Sequence, residues 1–221
     1  MTEVNENEVV EPLDEKNIII QPKSGYRFGG DAVALSKFSA KYIKGGMKVF
    51  DLCSGCGVVG ILVELATGAE VIGAELDGEL CGMSARSAAA NGLKARFFNA
   101  DIRDFSKDEH VHIFTRGAFD AVVCNPPFFK ADSRARKIAP TANSELTAKF
   151  SDVARASAWL LKSGGALYVV HTSSRLDEVM RTLGDNGLTP KALTVNRNGK
   201  TFLLRAVKGG KPGLTVDTEV F

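Results

Sequence analysis

At 221 residues with a net charge of +2, the chain is long enough to bury a full core as a single domain. No apolar run approaches the ~20 residues of a membrane span, and the acidic start resembles neither a secretory signal nor a mitochondrial presequence. The expectation is a cytoplasmic protein with no membrane partner. The small net charge conceals an asymmetry. Residues 1–16 carry six acids and one Lys, so the remainder holds 27 basic and 20 acidic residues. The acidic stretch reads as a flexible tail, and 17–221 as one domain.

In chain order, a short helix is expected over Leu35 to Ile43, ended by Gly45-Gly46, and then a strand over Met47 to Cys53. Val58 to Ala66 reads as a helix and Glu70 to Leu76 as a second strand. Gly78 to Asn91 reads as an Ala-rich helix stopped by Asn91-Gly92. A third strand follows at Ala95 to Ala100 and a fourth at Phe119 to Cys124. A long helix is expected over Ser144 to Leu161, stopped by Ser163-Gly-Gly165. Ala166 to His171 is a fifth strand and Leu176 to Leu183 a helix. Leu188 to Val195 and Thr201 to Val207 then have only a short turn between them. Alternating strands and helices predict an α/β fold with a mostly parallel sheet and helices on both faces. The closing pair without a helix predicts a C-terminal antiparallel hairpin, giving seven strands in all.

The first of these strands runs into Asp51-Leu-Cys-Ser-Gly55-Cys-Gly57-Val-Val-Gly60. Gly55 and Gly57 permit a tight turn and a close backbone approach to a ligand, and Gly60 lets the helix pack on the strand. Glu75, about twenty residues on, stands where ribose hydroxyls are accepted. A nicotinamide dehydrogenase would satisfy that much. Asp51 argues against it: a carboxylate at the strand end repels a pyrophosphate and suits a cationic, amine-bearing ligand such as S-adenosylmethionine. Asp101, ending the third strand, is placed to accept from an adenine amine.

Asn125-Pro126-Pro127-Phe128 closes the fourth strand about seventy residues after the glycine loop. An exocyclic NH2 conjugated to a ring or carbonyl is a poor nucleophile. Two acceptors aimed at its hydrogens favour a more tetrahedral nitrogen. The Asn125 side-chain carbonyl and the Pro126 backbone carbonyl supply two, the latter held rigidly because consecutive prolines have fixed φ and no N–H. Phe128 offers a stacking face for a base. Alone, Asn-Pro-Pro is a turn signal; after a fourth strand beside a methyl-donor loop it reads as catalytic. The stretch 130–143, with Lys130, Arg134, Arg136 and Lys137, is a long loop with a basic footprint. Lys191, Arg197, Lys200, Arg205, Lys208 and Lys211 form a second basic group. Cys53 and Cys56 have redox or zinc spacing, but no second close Cys/His pair accompanies them, so no metal is expected.

Together these residues resemble the class I S-adenosylmethionine-dependent methyltransferases of the Asn-Pro-Pro-aromatic group, over about residues 18–208. Gly25-Tyr-Arg-Phe28 with Asp31, Asn-Pro-Pro-Phe-Phe129, and His171-Thr-Ser-Ser-Arg175-Leu176 are similar to the bacterial tRNA1(Val) adenine-37 N6-methyltransferase family. The resemblance implies a Rossmann-like fold, S-adenosyl-L-methionine as cofactor and tRNA as partner. It places Tyr26, Arg27 and Phe28 over the donor or base pocket, Asp51 and the glycines on the methionine part, Glu75 on the ribose and Asp101 on the adenine. Asn125 would face both donor and acceptor, with Phe128, Phe129 and the basic loop toward the substrate. A glutamine N5-methyltransferase acting on release factors uses a similar motif, usually with Tyr and behind a helical N-terminal domain. Only about 45 residues precede the first core strand here. A DNA adenine methyltransferase would usually carry a separate target-recognition region, and a non-catalytic S-adenosylmethionine- or RNA-binding module would not need an intact Asn125.

Overall fold

The computed structural model describes residues 3–25, 27–105, 114–126 and 148–221. In chain order the elements are β1 (Glu8–Pro12), β2 (Ile18–Pro22), α1 (Gly30–Ala40), β3 (Lys48–Leu52), α2 (Val58–Thr67), β4 (Glu70–Glu75), α3 (Gly78–Ala90) and β5 (Arg96–Asn99). They continue with β6 (Phe119–Cys124), α4 (Phe150–Leu160), β7 (Leu161–Thr172), α5 (Leu176–Asp185), β8 (Leu188–Asn196), β9 (Thr201–Lys208) and β10 (Thr215–Glu219).

Eight strands form the main sheet in the order β10-β8-β9-β7-β6-β3-β4-β5. All neighbours pair in parallel except at β9, which is antiparallel to both β7 and β8. The expected late hairpin is therefore present as β8 and β9. The strand count is eight rather than seven because β10 adds to the edge, Thr215 opposite Ala192 through Glu219 opposite Asn196.

Alternation along the central strands feeds two cores. Val49, Ala121, Val123, Tyr168 and Val170 face one side with Leu35, Phe38, Ile61, Val63 and Leu80 of α1, α2 and α3. Phe50, Leu52, Val122, Cys124, Leu167 and Val169 face the other, with Val153, Leu160, Val179 and Leu183 of α4 and α5. Phe50 anchors the second core, its ring 5.0 Å edge-on from both Phe114 and Phe119, a geometry that aromatic quadrupoles favour. Strands buried on both faces read as continuous apolar runs, which is why β6 appears in the sequence with its observed bounds.

Three expectations are corrected. The acidic stretch is not all tail: Glu8–Pro12 pairs antiparallel with Ile18–Pro22. Glu8 is buried and accepts from both terminal nitrogens of Arg86 on α3, at 2.7 and 2.6 Å. That guanidinium holds the Glu8 carboxyl at about pKa 2, so an acid read as solvated is a buried ion-pair partner. The hairpin docks further through Ile18 N–H on Asn91 Oδ1 and Ile20 N–H on Ser87 Oγ, each 2.9 Å. Second, the long helix before β7 begins at Phe150, since residues 148–149 are not helical and 144–147 lie outside the described residues. Lys149 N–H donates to the Asp152 carboxylate at 3.0 Å, which fixes that start. Third, the helix expected from Leu35 begins at Gly30. The segment through Gly29-Gly30 has no apolar repeat, and Asp31 in the first helical turn suits the helix dipole.

Candidate active site

Strand order reverses at β3: β4 lies on one side of it and β6 on the other. In open α/β sheets, the crevice beyond the carboxyl ends of such strands is where ligands bind. Leu52 is paired with Cys124, so the next residues, Cys53 and Asn125, leave the sheet side by side. The glycine loop and the Asn125-Pro126 step thus meet at one point, although seventy residues separate them in sequence.

The loop backbone is held in an unusual shape. Cys53, Gly55 and Gly57 all have positive φ, at 57°, 56° and 84°. Gly57 caps α2. A Cβ there would stand 2.6 Å from Ser84 Cβ and 2.9 Å from Phe97 Cζ, so Gly57 faces protein on that side, and packing as well as φ requires it. Gly60 is required likewise: its Cβ would stand 2.9 Å from both Asp51 Oδ2 and Val71 Cγ1. Gly57→Ala is expected to lower stability by about 2 kcal/mol or more, from strained φ plus overpacking. A urea midpoint equal to that of the unsubstituted protein would refute that account.

Asp51 is 1% exposed, and its Oδ2 accepts the Gly60 N–H at 2.8 Å. The carboxylate fixes the first turn of α2, taking one of the N–H groups that a helix start leaves open. Burial pushes its pKa up to about 7, only partly offset by the Gly60 bond, with a further upward push from Glu75. Glu75, at the end of β4, accepts Gly55 N–H at 2.8 Å and Asp77 N–H at 3.0 Å. Its pKa is also raised, chiefly by burial. Two acids at adjacent strand ends, one fully buried and both resisting ionisation, make a crevice that favours a cationic ligand.

The remaining expected residues are placed as follows. Asp101 is engaged by Arg103, whose backbone N–H and Nε both lie 2.9 Å from it, so an adenine amine would share this carboxylate with a guanidinium. Arg27 pairs with Glu11 of β1, and Phe28 donates its N–H to Gln21 Oε1 at 3.2 Å. Asn125 is half-buried and Pro126 buried. Tyr26, Pro127, Phe128, Phe129, Lys130, Arg134, Arg136 and Lys137 lie outside the described residues. The second basic group does not form one solvated face. Lys208 Nζ donates to the Ala158 and Leu161 carbonyls, and the Arg205 guanidinium lies 4.8 Å from the Tyr42 ring centre.

The redox reading of Cys53 and Cys56 meets opposing chemistry: Cys56 is buried and its thiol is pushed up to about 12, first by burial, the reverse of an activated cysteine. No group of three or more His, Cys, Asp or Glu side chains suited to a metal stands among the described residues, nor is any helix there long and apolar enough to cross a membrane.

Two buried polar side chains carry no role in the sequence analysis. His171 is 1% exposed at the end of β7, its Nδ1 accepting Thr172 N–H at 2.9 Å, and burial brings its pKa down to about 4. It is therefore neutral at neutral pH, with its proton on Nε2. Gln21, also fully buried, sits in β2, a strand that the sequence did not announce.

A Rossmann-like sheet with a glycine loop and strand-end acids at its switch point defines a nucleotide-ligand-binding α/β domain. The methyltransferase small domain family model matches residues 29–184, and the chain belongs to that family, whose methyl donor is S-adenosylmethionine. It is 31% identical over 90 residues to a release factor glutamine methyltransferase of Agrobacterium fabrum, covering 40% of this chain and 29% of that protein. It is 30% identical over 120 residues to a tRNA (uracil(54)-C(5))-methyltransferase of Pyrococcus furiosus, covering 54% of this chain and 26% of that protein. The chain thus spans less than a third of either relative. Among solved structures, a predicted O-methyltransferase from Agrobacterium tumefaciens superposes with a TM-score of 0.67 at 22% identity, covering 86% of each chain, a likeness of fold.

Proposed function

We propose that the protein transfers a methyl group from S-adenosylmethionine to the exocyclic N6 of an adenine in tRNA, with adenine 37 of a valine tRNA as the favoured target. The observation that carries this reading is the emergence of Asn125-Pro126 beside the glycine loop at the β3/β6 switch point. Asp51, Glu75 and the loop backbone would hold the donor, whose sulfonium supplies an already activated methyl group. The chain's own task is then alignment and charge stabilisation in a dry crevice. As the N–C bond forms, the nitrogen lone pair leaves conjugation and its hydrogens grow acidic. The Asn125 side-chain carbonyl and the Pro126 carbonyl would accept them and favour that change. The nitrogen afterwards loses one proton to solvent. A base within a helix or stacked loop must first be turned out.

Selection of RNA rests on the basic excess outside residues 1–16 and on the resemblance of the flanking motifs to an adenine-37 family. The match to a release factor glutamine methyltransferase supports a second reading, because a glutamine amide presents the same conjugated NH2. Incubation with labelled S-adenosylmethionine and either total tRNA or a release factor separates the two. Label in N6-methyladenosine is the expected result; label only in the protein would overturn the tRNA assignment.

A further inference from the structure

Cys53-Ser-Gly-Cys56 has the spacing of a redox pair, yet the fold sets its two sulfurs apart. Cys56 is buried in the core that α1, α2 and α3 cover, while Cys53 packs against the core on the opposite face of the sheet. The cysteine that shares that second core is Cys124, fully buried at the end of β6.

The backbone explains the exchange of partners. Leu52 is the register partner of Cys124, and side chains alternate between faces along a strand. Continued as a strand, Cys53 would point away from the face that Leu52 and Cys124 share. Its φ of 57° takes it out of that alternation. Among the described residues it is the one non-glycine in the left-handed region, where such residues are uncommon and gather at functional sites. The two sulfurs are in contact: burial first, and hydrogen bonding with Cys53 second, hold the Cys124 thiol well above its ordinary range. A strand spacing of ~4.8 Å and a rise of ~3.3 Å per residue put the two Cα atoms roughly 5.8 Å apart across their one-residue offset. That lies within the ~4.4–6.8 Å that a disulfide spans. Access to the two is unequal, since Cys53 is half-buried at the crevice and Cys124 is 0% exposed.

We infer that Cys53 and Cys124 are a reversible redox pair, which a peroxide joins into a disulfide that staples the glycine loop to the strand carrying Asn125. Cys53 meets the oxidant first. Its sulfur takes one oxygen from hydrogen peroxide, giving a sulfenic acid and one water. The Cys124 sulfur then attacks that sulfur. The S–S bond forms, the S–O bond breaks, and hydroxide leaves with the Cys124 proton as a second water. Two electrons thus pass from the sulfurs to the peroxide, and a dithiol returns them. The staple fixes the glycine loop against Asn125, and an ångström-scale displacement at a reacting centre costs on the order of a hundredfold in rate. That consequence rests on the methyl-transfer reading; the disulfide itself does not.

The test treats the full chain with hydrogen peroxide, alkylates the remaining thiols and maps the peptides by mass spectrometry. One disulfide linking Cys53 to Cys124 is expected, with two of the four thiols lost and both regained in dithiothreitol. Single-turnover transfer by the oxidised protein should be at least about tenfold slower and recover on reduction. Cys53→Ser should transfer at the same rate before and after peroxide, whatever that rate is. Should that variant fail to fold, Cys124→Ala is compared in the same way. A linkage between Cys53 and Cys56, or Cys53 carried on to the sulfinic acid with Cys124 untouched, would overturn the pairing. A Cys53–Cys124 disulfide that leaves transfer unchanged would overturn the staple's control of the reaction. Absence of transfer in both states would instead refute the methyl-transfer reading, and the peptide map alone would then decide the pairing.

Discussion

Asn125→Ala is expected to slow single-turnover methyl transfer by about a hundred- to a thousandfold, the usual consequence of removing one preorganised group at the reacting centre. Donor affinity should change by less than about threefold, because the residues proposed to hold the donor stand on β3, β4 and the glycine loop. The separation follows from topology. Asn125 leaves β6 next to the loop, while Asp51 and Glu75 are fixed by their own bonds to Gly60, Gly55 and Asp77, none of which passes through Asn125. Asn125→Asp keeps an acceptor oxygen and should retain more activity than the Ala variant. Rapid-quench measurement with the labelled donor, beside calorimetric binding, reads both quantities. Equal loss of binding and rate would mean that Asn125 shapes the donor pocket rather than the acceptor nitrogen, and an unimpaired rate would remove it from the reaction.

How much of this was legible depended on whether a residue's partner lay nearby in sequence. Elements buried on both faces by local apolar runs appeared with nearly correct bounds: β6 at Phe119–Cys124, α2 from Val58, α3 from Gly78. The parallel order followed from alternation and from the handedness of crossovers. The β1–β2 hairpin was missed because its defining contacts are remote. Glu8 looks like one more acid of a tail until Arg86, 78 residues away, is placed against it. β10 was missed because an exposed edge strand carries little apolar signal; Val216 is 60% exposed.

At the site, the sequence names the residues but not the partners that the fold gives them. Gly57 was assigned to ligand approach, whereas Ser84 and Phe97 fill the side on which its Cβ would lie. Asp51 is read from the sequence as a strand-end carboxylate suited to a cationic ligand; the fold also buries it and bonds it to Gly60. Asp101 was read without Arg103, two residues on, which pairs with it. The sequence reveals which charges are present; the fold decides which of them already have partners.

That point bears most heavily on Asp51→Asn, for which opposite effects on binding and stability are expected. In the ligand-free protein, burial raises the Asp51 pKa to about 7, above the value of about 3.9 in an unfolded chain. A group raised in this way contributes stability that is fully present below about pH 4 and is lost as pH rises through about 7. Asparagine can still accept the Gly60 N–H through its carbonyl oxygen but cannot ionise, so the variant should escape the decline between about pH 4 and 7. Its urea midpoint, plotted against pH, should be flatter than that of the unsubstituted protein. Donor binding runs the other way. An ammonium group beside Asp51 favours the ionised carboxylate, so below pH 7 binding must expel a proton, and affinity should climb with pH until about 7 and then level off. Asp51→Asn should abolish that climb and weaken the donor about tenfold or more at pH 7.5. Calorimetry in buffers of differing ionisation enthalpy would detect the released proton at pH 6.5. Identical stability profiles for the two proteins would refute the raised pKa, and undiminished donor affinity in the variant would show that the amine is held elsewhere. If both effects are seen, the acid at the β3 end keeps the empty site less stable above neutral pH than an amide would, and that cost is offset only when a cationic donor is bound.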